Sequence, residues 1–348
     1  MNDLVIAVTG IHATDSPAPG VAVLRSLRLA FENTRFIGFS YGVLDSGNFM
    51  RNLVDASYLV PYANTGPQAL LERIQQIHER EKINIIFPTL DSELENYLII
   101  YDELLKSGIR MLLPTRDSLK MRDKSGLSKY IPDDVVLLPM TLSVNDAGGL
   151  QKIFDEMEFP LFIKGQYYEA YIAHTQAEAT GWFYRLASQW GIPVIVQKMI
   201  QGEECNVCVL AHEGKLLGLV AMKKLFLTDK GKAWAGVTIK NPELEKISSK
   251  LLERLNWSGG AEFEFIIEAG TRDIYLLEMN PRFPAWLWLA TSSGINMPAM
   301  QVQISLGKTV EPILEYEAGQ VFVRHSWDEI VPMSSIEALS TGGEVIYT

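Results

Sequence analysis

Through the first third of the chain, short apolar runs alternate with stretches whose apolar residues recur every three or four positions. Residues 4–8 read as a buried strand, Val21, Leu24, Leu27, Ala30 and Phe31 as one face of a helix, and 36–39 as a second strand. Leu70, Leu71, Ile74 and Ile77 mark another helix, 83–87 a strand, and Leu94, Leu98, Tyr101, Leu104 and Leu105 a further helix, with 111–113 closing the series. Strands alternating with helices predict a parallel, doubly wound α/β sheet. Such sheets bind ligands beyond the carboxyl ends of their strands, which singles out loops 9–20 and 88–93. The first of these lacks Gly-x-Gly-x-x-Gly, which counts against a standard dinucleotide site.

After Pro114 the pattern changes to α+β. Residues 145–157 and 175–189 read as helices, and 160–164 and 194–197 as strands. From 204 to 225 the chain reads as two antiparallel strands turning at His212-Glu213-Gly214. Residues 242–255 form a helix by Leu244, Ile247, Leu251 and Leu255, and a second hairpin follows over 261–267 and 274–279. No internal repeat, low-complexity stretch or long linker is evident.

Composition narrows the function classes. The chain has 348 residues, with 31 Lys plus Arg against 42 Asp plus Glu and a net charge of −11. That balance argues against a nucleic-acid backbone binder, which needs clustered cations, but leaves room for a small anion held in one local basic pocket. Only residues 4–8 are apolar near the start, and the longest apolar run, 285–290, is far short of a membrane span. A cytoplasmic protein that meets neither membrane nor nucleic acid is expected. Cys205 and Cys208 form Cys-x-x-Cys, but on a strand such positions point to opposite faces, and with only His212 nearby a zinc site lacks ligands, so buried structural thiols are expected. The His residues at 12, 78, 174, 212 and 325 form no close cluster.

The most informative segment is the second hairpin. Alternation puts Glu262 and Glu264 on one face of its first strand and Phe263 and Phe265 on the other. With the turn centred on Gly270, Glu262 lies opposite Glu278, and directly opposed like charges need compensation. A divalent cation supplies it, because Glu262, Glu278 and Asn280 offer oxygen ligands of the kind Mg²⁺ takes along with substrate phosphates. The alternative is a solvated face on which Arg272 or Arg282 pairs the acids. Upstream, Lys124 follows Arg122-Asp123, Lys164 ends a strand, and Gln197-Lys198-Met199-Ile200 leads through Gly202 into Glu203-Glu204. Single lysines at strand ends are usually solvated. The backbone edge at 198–200 suits a purine, and a following carboxylate suits a ribose hydroxyl.

Together, Asp123-Lys124, Phe162-Ile163-Lys164, Gln197-Lys198-Met199-Ile200 with Gly202-Glu203-Glu204, and Glu278-Met279-Asn280-Pro281-Arg282 resemble the ATP-grasp superfamily of ligases. Glu-Met-Asn-Pro-Arg is particularly close to the carbamoyl phosphate synthase large-subunit branch. The α/β region before them resembles that family's N-terminal domain, and Ser293-Gly294-Ile295-Asn296 resembles the stretch after its Asn-Pro-Arg motif. The resemblance implies a doubly wound N-terminal domain over 1–115, connecting helices and a small lid subdomain over 116–197, and a catalytic subdomain over 198–348, with ATP held between two α+β subdomains. Lys124 and Lys164 would contact its phosphates, joined by Lys223 or Lys224, of which strand alternation allows one. The Lys198 carbonyl and Ile200 amide would read adenine, and Glu204 would bind ribose. Glu262, Glu278 and Asn280 would hold Mg²⁺, with Mn²⁺ as an alternative ion, and Arg282 would stabilise the transferred phosphoryl group.

The implied reaction converts a small carboxylic acid to an acyl phosphate for attack by an amine, with ADP and phosphate as products and a homodimer as the default assembly. Two features depart from the family. The lid segment Gly165-Gln166-Tyr167-Tyr168-Glu169-Ala170-Tyr171 is nearly glycine-free where backbone amides usually close over phosphate, and Lys198 stands where Glu is common. The rivals are therefore a nucleotide-binding regulator or partner without turnover, and a phosphotransferase that stops at phosphorylation. Phe283, Pro284, Trp286 and Trp288 after the motif read either as an apolar substrate wall or as aromatic core.

Overall fold

Period-2 alternation builds the N-terminal layer of the computed structural model, which describes residues 4–12, 17–121, 127–132, 134–165, 169–228 and 231–347. In chain order the strands are β1 (Leu4–Val8), β2 (Thr34–Ser40), β3 (Ala56–Leu59), β4 (Ile85–Phe87), β5 (Thr141–Val144), β6 (Leu161–Lys164), β7 (Ala170–Ala173), β8 (Val194–Lys198), β9 (Gly202–His212), β10 (Lys215–Leu227), β11 (Ala233–Ile239), β12 (Gly259–Glu268), β13 (Ile274–Asn280), β14 (Val321–Val323) and β15 (Glu344–Ile346).

The first sheet has the order β15-β3-β2-β1-β4, with β1 to β4 parallel and β15 antiparallel on β3. Ile6, Val8, Phe36 and Phe87 face helix Pro19–Ala30, while Val5, Ala7, Ile37 and Phe39 face helices Pro67–Glu81 and Leu94–Lys106. A parallel sheet so covered is buried on both faces, which is why its strands are near-continuous apolar runs. Helix Pro19–Ala30 can start directly over β1 because residue 20 is glycine, where a Cβ would stand 2.1 Å from the Thr9 carbonyl oxygen. Residues 111–113 are not a strand. The chain there makes only a bridge from Arg110 to Ile85, and the sheet ends instead with β3 and with β15 from the far end of the chain.

The described chain divides into two units: residues 1–120, 206–263 and 279–348 form one, and 121–205 and 264–278 the other. The second contains the antiparallel sheet β5-β8-β6-β7. On one face Leu161, Ile163, Val194 and Val196 pack under helices Ala147–Glu156 and Gln176–Trp190. Register puts Thr141, Gln197 and Phe162 in one row of the opposite face, and Ile195 and Lys164 in the next.

The six-stranded sheet has the order β13-β12-β9-β10-β11-β14. The β9–β10 hairpin turns at Glu213 and Gly214, with φ of 49° and 77°, the two left-handed positions that a tight hairpin requires. Cys208, Leu210, Val220 and Met222 join the core formed by Ile6, Val8 and Phe36 with Phe283, Trp286, Leu287 and Leu289. The aromatics after the Asn-Pro-Arg motif are therefore core packing, and only Trp288 is exposed, at 36%. Cys205 and Cys208 are both buried free thiols, as their positions on β9 predict.

Candidate active site

In the first unit the chemistry gathers around Glu262. Its carboxylate is 6% exposed and accepts from four side chains: at Oε1 from Asn206 Nδ2 at 2.6 Å and Trp286 Nε1 at 2.7 Å, and at Oε2 from Asn280 Nδ2 at 3.1 Å and Arg282 Nη1 at 3.4 Å. Arg282 also donates from Nε to Asp91 Oδ1 at 2.9 Å. The guanidinium is thus held by two carboxylates, one from β12 and one from the loop after β4. Burial and the Glu262 charge push the neighbouring Cys208 thiol well up, partly offset by Arg282, which favours its protonated form.

Loop 88–93, singled out by the sheet topology, is tied down by Glu93. This buried carboxylate accepts from Thr9 Oγ1, from the Thr89 and Leu90 amides at 2.8 and 3.0 Å, and from the Tyr41 hydroxyl at 2.5 Å. Burial raises its pKa above the ordinary carboxylate value, against the lowering effect of these donors. The knot joins the carboxyl ends of β1 and β4 and presents Asp91 to Arg282.

The hairpin register differs from the expected one. The Glu268 amide donates to the Asp273 carbonyl and the Arg272 amide to the Glu268 carbonyl, with Arg272 left-handed at φ 67°. The turn is therefore not symmetric about Gly270, and across the two strands Glu262 accepts from the Asn280 side chain. Alternation then puts Glu264 and Glu278 on that same face, two residues further along β12 and two residues back along β13. Glu262, expected as a metal ligand with Glu278 and Asn280, accepts at both oxygens from protein side chains, Arg282 among them. Among the described residues no group of three or more His, Cys, Asp or Glu is gathered to hold a metal.

In the second unit Lys164 Nζ donates to Gln197 Oε1 at 2.6 Å and lies 5.0 Å from the Phe162 ring centroid. Lys198 is exposed, and its amide donates to the Met140 carbonyl, while Ile200 is buried. Position 202 must be glycine, since a Cβ would stand 2.1 Å from the Ile267 carbonyl oxygen. Glu204 is half-buried on β9, and Glu203 pairs with Arg272 at 3.9 Å. Lys223 and Lys224 point to opposite faces of β10, in register with Val237 and Gly236. Lys124 and residues 166–168 of the lid segment lie outside the described residues.

Residues 192–325 match the family described as ATP-grasp in the biosynthetic pathway with Ter operon. The carbamoyl phosphate synthase large chain of Caldanaerobacter subterraneus subsp. tengcongensis is 23% identical over 273 residues, 72% of this chain and 24% of that protein. A D-alanine–D-alanine ligase of Rickettsia bellii is 34% identical over 104 residues, 26% of this chain and 32% of the ligase. The chain thus spans a third or less of these curated relatives. Among solved structures, the biotin carboxylase domain dimer of Hydrogenobacter thermophilus 2-oxoglutarate carboxylase, complexed with MgADP, ADP and bicarbonate, gives a TM-score of 0.68 at 15% identity, over 88% of this chain and 71% of that one. The likeness shows a shared fold. No helix among the described residues is long and apolar enough to cross a membrane.

Proposed function

We propose, from the premise that this chain belongs to the ATP-grasp superfamily, that it is an ATP- and Mg²⁺-dependent ligase. It would activate a small carboxylic acid as an acyl phosphate and join it to an amine, releasing ADP and phosphate. The observation that carries the reading is Arg282, held beside Asn280 by Glu262 and Asp91 within the Glu-Met-Asn-Pro-Arg turn.

Carboxylates are poor electrophiles, and phosphorylation makes them attackable; phosphoryl transfer then asks mainly for alignment and charge neutralisation. Lys164, Lys124 and one of Lys223 and Lys224 would bind the phosphates. The Lys198 carbonyl and Ile200 amide would read adenine, and Glu204 the ribose. Glu278, Asn280 and, in place of Glu262, Glu264 would hold Mg²⁺, which when bound supplies positive charge beside the phosphates. Glu262 would orient the Asn280 amide and keep the Arg282 fork in one plane for the transferring group. The dimeric state of the matched biotin carboxylase domain supports a homodimer.

The glycine-poor lid favours a second reading, a nucleotide-binding partner without turnover. ADP release measured with ATP, Mg²⁺ and a matrix of acids and amines separates them. Release that needs both an acid and an amine is expected. Release with one acceptor alone would indicate a phosphotransferase, and binding of ATP without release under any pairing would indicate the non-catalytic protein.

A further inference from the structure

A line of hydrogen bonds in the second unit runs from Lys164 to a backbone carbonyl. Lys164 Nζ donates to Gln197 Oε1 at 2.6 Å, Gln197 Nε2 donates to Thr141 Oγ1 at 2.9 Å, and Thr141 Oγ1 donates to the Pro139 carbonyl at 2.8 Å. The three side chains sit on one sheet face, Thr141 and Gln197 directly paired across β5 and β8. Gln197 is 8% exposed, so its amide has little access to water as a substitute partner.

The polarity of this line is fixed at its far end. A carbonyl only accepts, so the single Thr141 hydroxyl proton is committed to Pro139, and Thr141 can only accept from Gln197. That forces Nε2 toward Thr141 and Oε1 toward Lys164. The flipped amide would set NH₂ against an ammonium, two donors face to face, and would pull the Thr141 proton away from Pro139.

We infer that Gln197 and Thr141 are positioning residues for Lys164, holding its ammonium in place through a neutral acceptor whose orientation the Pro139 carbonyl dictates. A neutral acceptor fixes the lysine without the counter-charge that a carboxylate at the same position would bring. Lys164 Nζ also lies 5.0 Å from the Phe162 ring centroid, a second contact that helps hold the ammonium. The inference rests on the reading of Lys164 as a phosphate contact.

Calorimetric binding of ATP, ADP and adenosine to the full chain tests it. Thr141→Val removes the acceptor that orients Gln197, and should weaken ATP and ADP by about tenfold, the worth of one charge-assisted hydrogen bond, while adenosine changes by less than about twofold. Thr141→Ser restores the hydroxyl and should bind all three as the parent does. Gln197→Glu retains shape and an acceptor but adds a counter-charge, and should lose more affinity for ATP than for adenosine. Lys164→Met is the control for the underlying reading. If it leaves ATP binding intact, Lys164 is no phosphate contact. If it weakens ATP while Thr141→Val and Gln197→Glu do not, the positioning role alone is overturned. An equal loss for adenosine, ADP and ATP in Thr141→Val would likewise overturn it, by showing general damage to the sheet.

Discussion

Glu262→Gln distinguishes an organising carboxylate from a metal ligand. The substitution keeps the shape but turns one acceptor oxygen into a donor. With its remaining oxygen toward Asn206 and Trp286, the amide keeps the two shorter bonds, at 2.6 and 2.7 Å, to donors that are 4% and 6% exposed. Its NH₂ then confronts Asn280 Nδ2 and Arg282 Nη1, previously at 3.1 and 3.4 Å. Asn280 is 6% exposed and loses a buried acceptor, whereas Arg282 retains Asp91. One buried amide that loses an acceptor plus one weakened ionic contact costs about 2–4 kcal/mol. Urea titration in metal-free buffer should therefore move the midpoint down at unchanged slope. Glu278→Gln should behave oppositely. It removes one acidic group from the face that carries Glu264, so it should melt no lower than the parent without metal while losing Mg²⁺-dependent nucleotide binding. A Glu262→Gln protein as stable as the parent in metal-free buffer, yet blind to Mg²⁺, would refute the reasoning and return Glu262 to the metal.

Three further outcomes follow from the same geometry. Arg282→Lys keeps the charge but loses the fork, so turnover should fall at least tenfold while ATP affinity changes little, and equal losses in steady-state kinetics and binding would indicate a ground-state contact only. Glu93 has a folded-state pKa raised by burial, so its contribution to stability is full below the ordinary value of 4.5 and declines as pH rises through the raised one. The stability difference between the parent and Glu93→Gln should accordingly shift against the parent on going from acid to neutral pH, and a flat difference across that range in urea titrations would contradict the assignment. Lys198→Ala should bind ATP within about twofold of the parent, since the proposed adenine contact is backbone, and a larger loss by calorimetry would give its side chain a role.

Legibility in the sequence tracked how local each feature is. The β9–β10 hairpin was readable because its turn lies in two adjacent residues, and β1, β2 and β4 because a sheet covered on both faces leaves apolar runs. β15 was not, because three residues near the end of the chain take their meaning from β3 some 290 positions earlier. Residues 111–113 misled for the converse reason, an apolar run whose neighbour β4 offers a bridge only at Ile85. At the site, the two acids of β12 were visible by alternation, but their division of labour was not. Asn206 from β9 and Arg282 and Trp286 from the turn after β13 converge on Glu262 from two separate segments, and a left-handed Arg272 makes the hairpin turn asymmetric. Asp91 lay in a loop the sheet topology singled out, yet its contact with Arg282 joins residues 191 positions apart.

The central claim is that an acyl phosphate forms, and oxygen tracing tests it most directly. An acid found to support ADP release, carrying ¹⁸O in its carboxylate, is turned over with ATP, Mg²⁺ and its amine, and the released phosphate is analysed by mass spectrometry or ³¹P resonance. Activation through an acyl phosphate predicts one ¹⁸O in each phosphate released. Phosphate free of ¹⁸O, with ADP and product still formed, would contradict it.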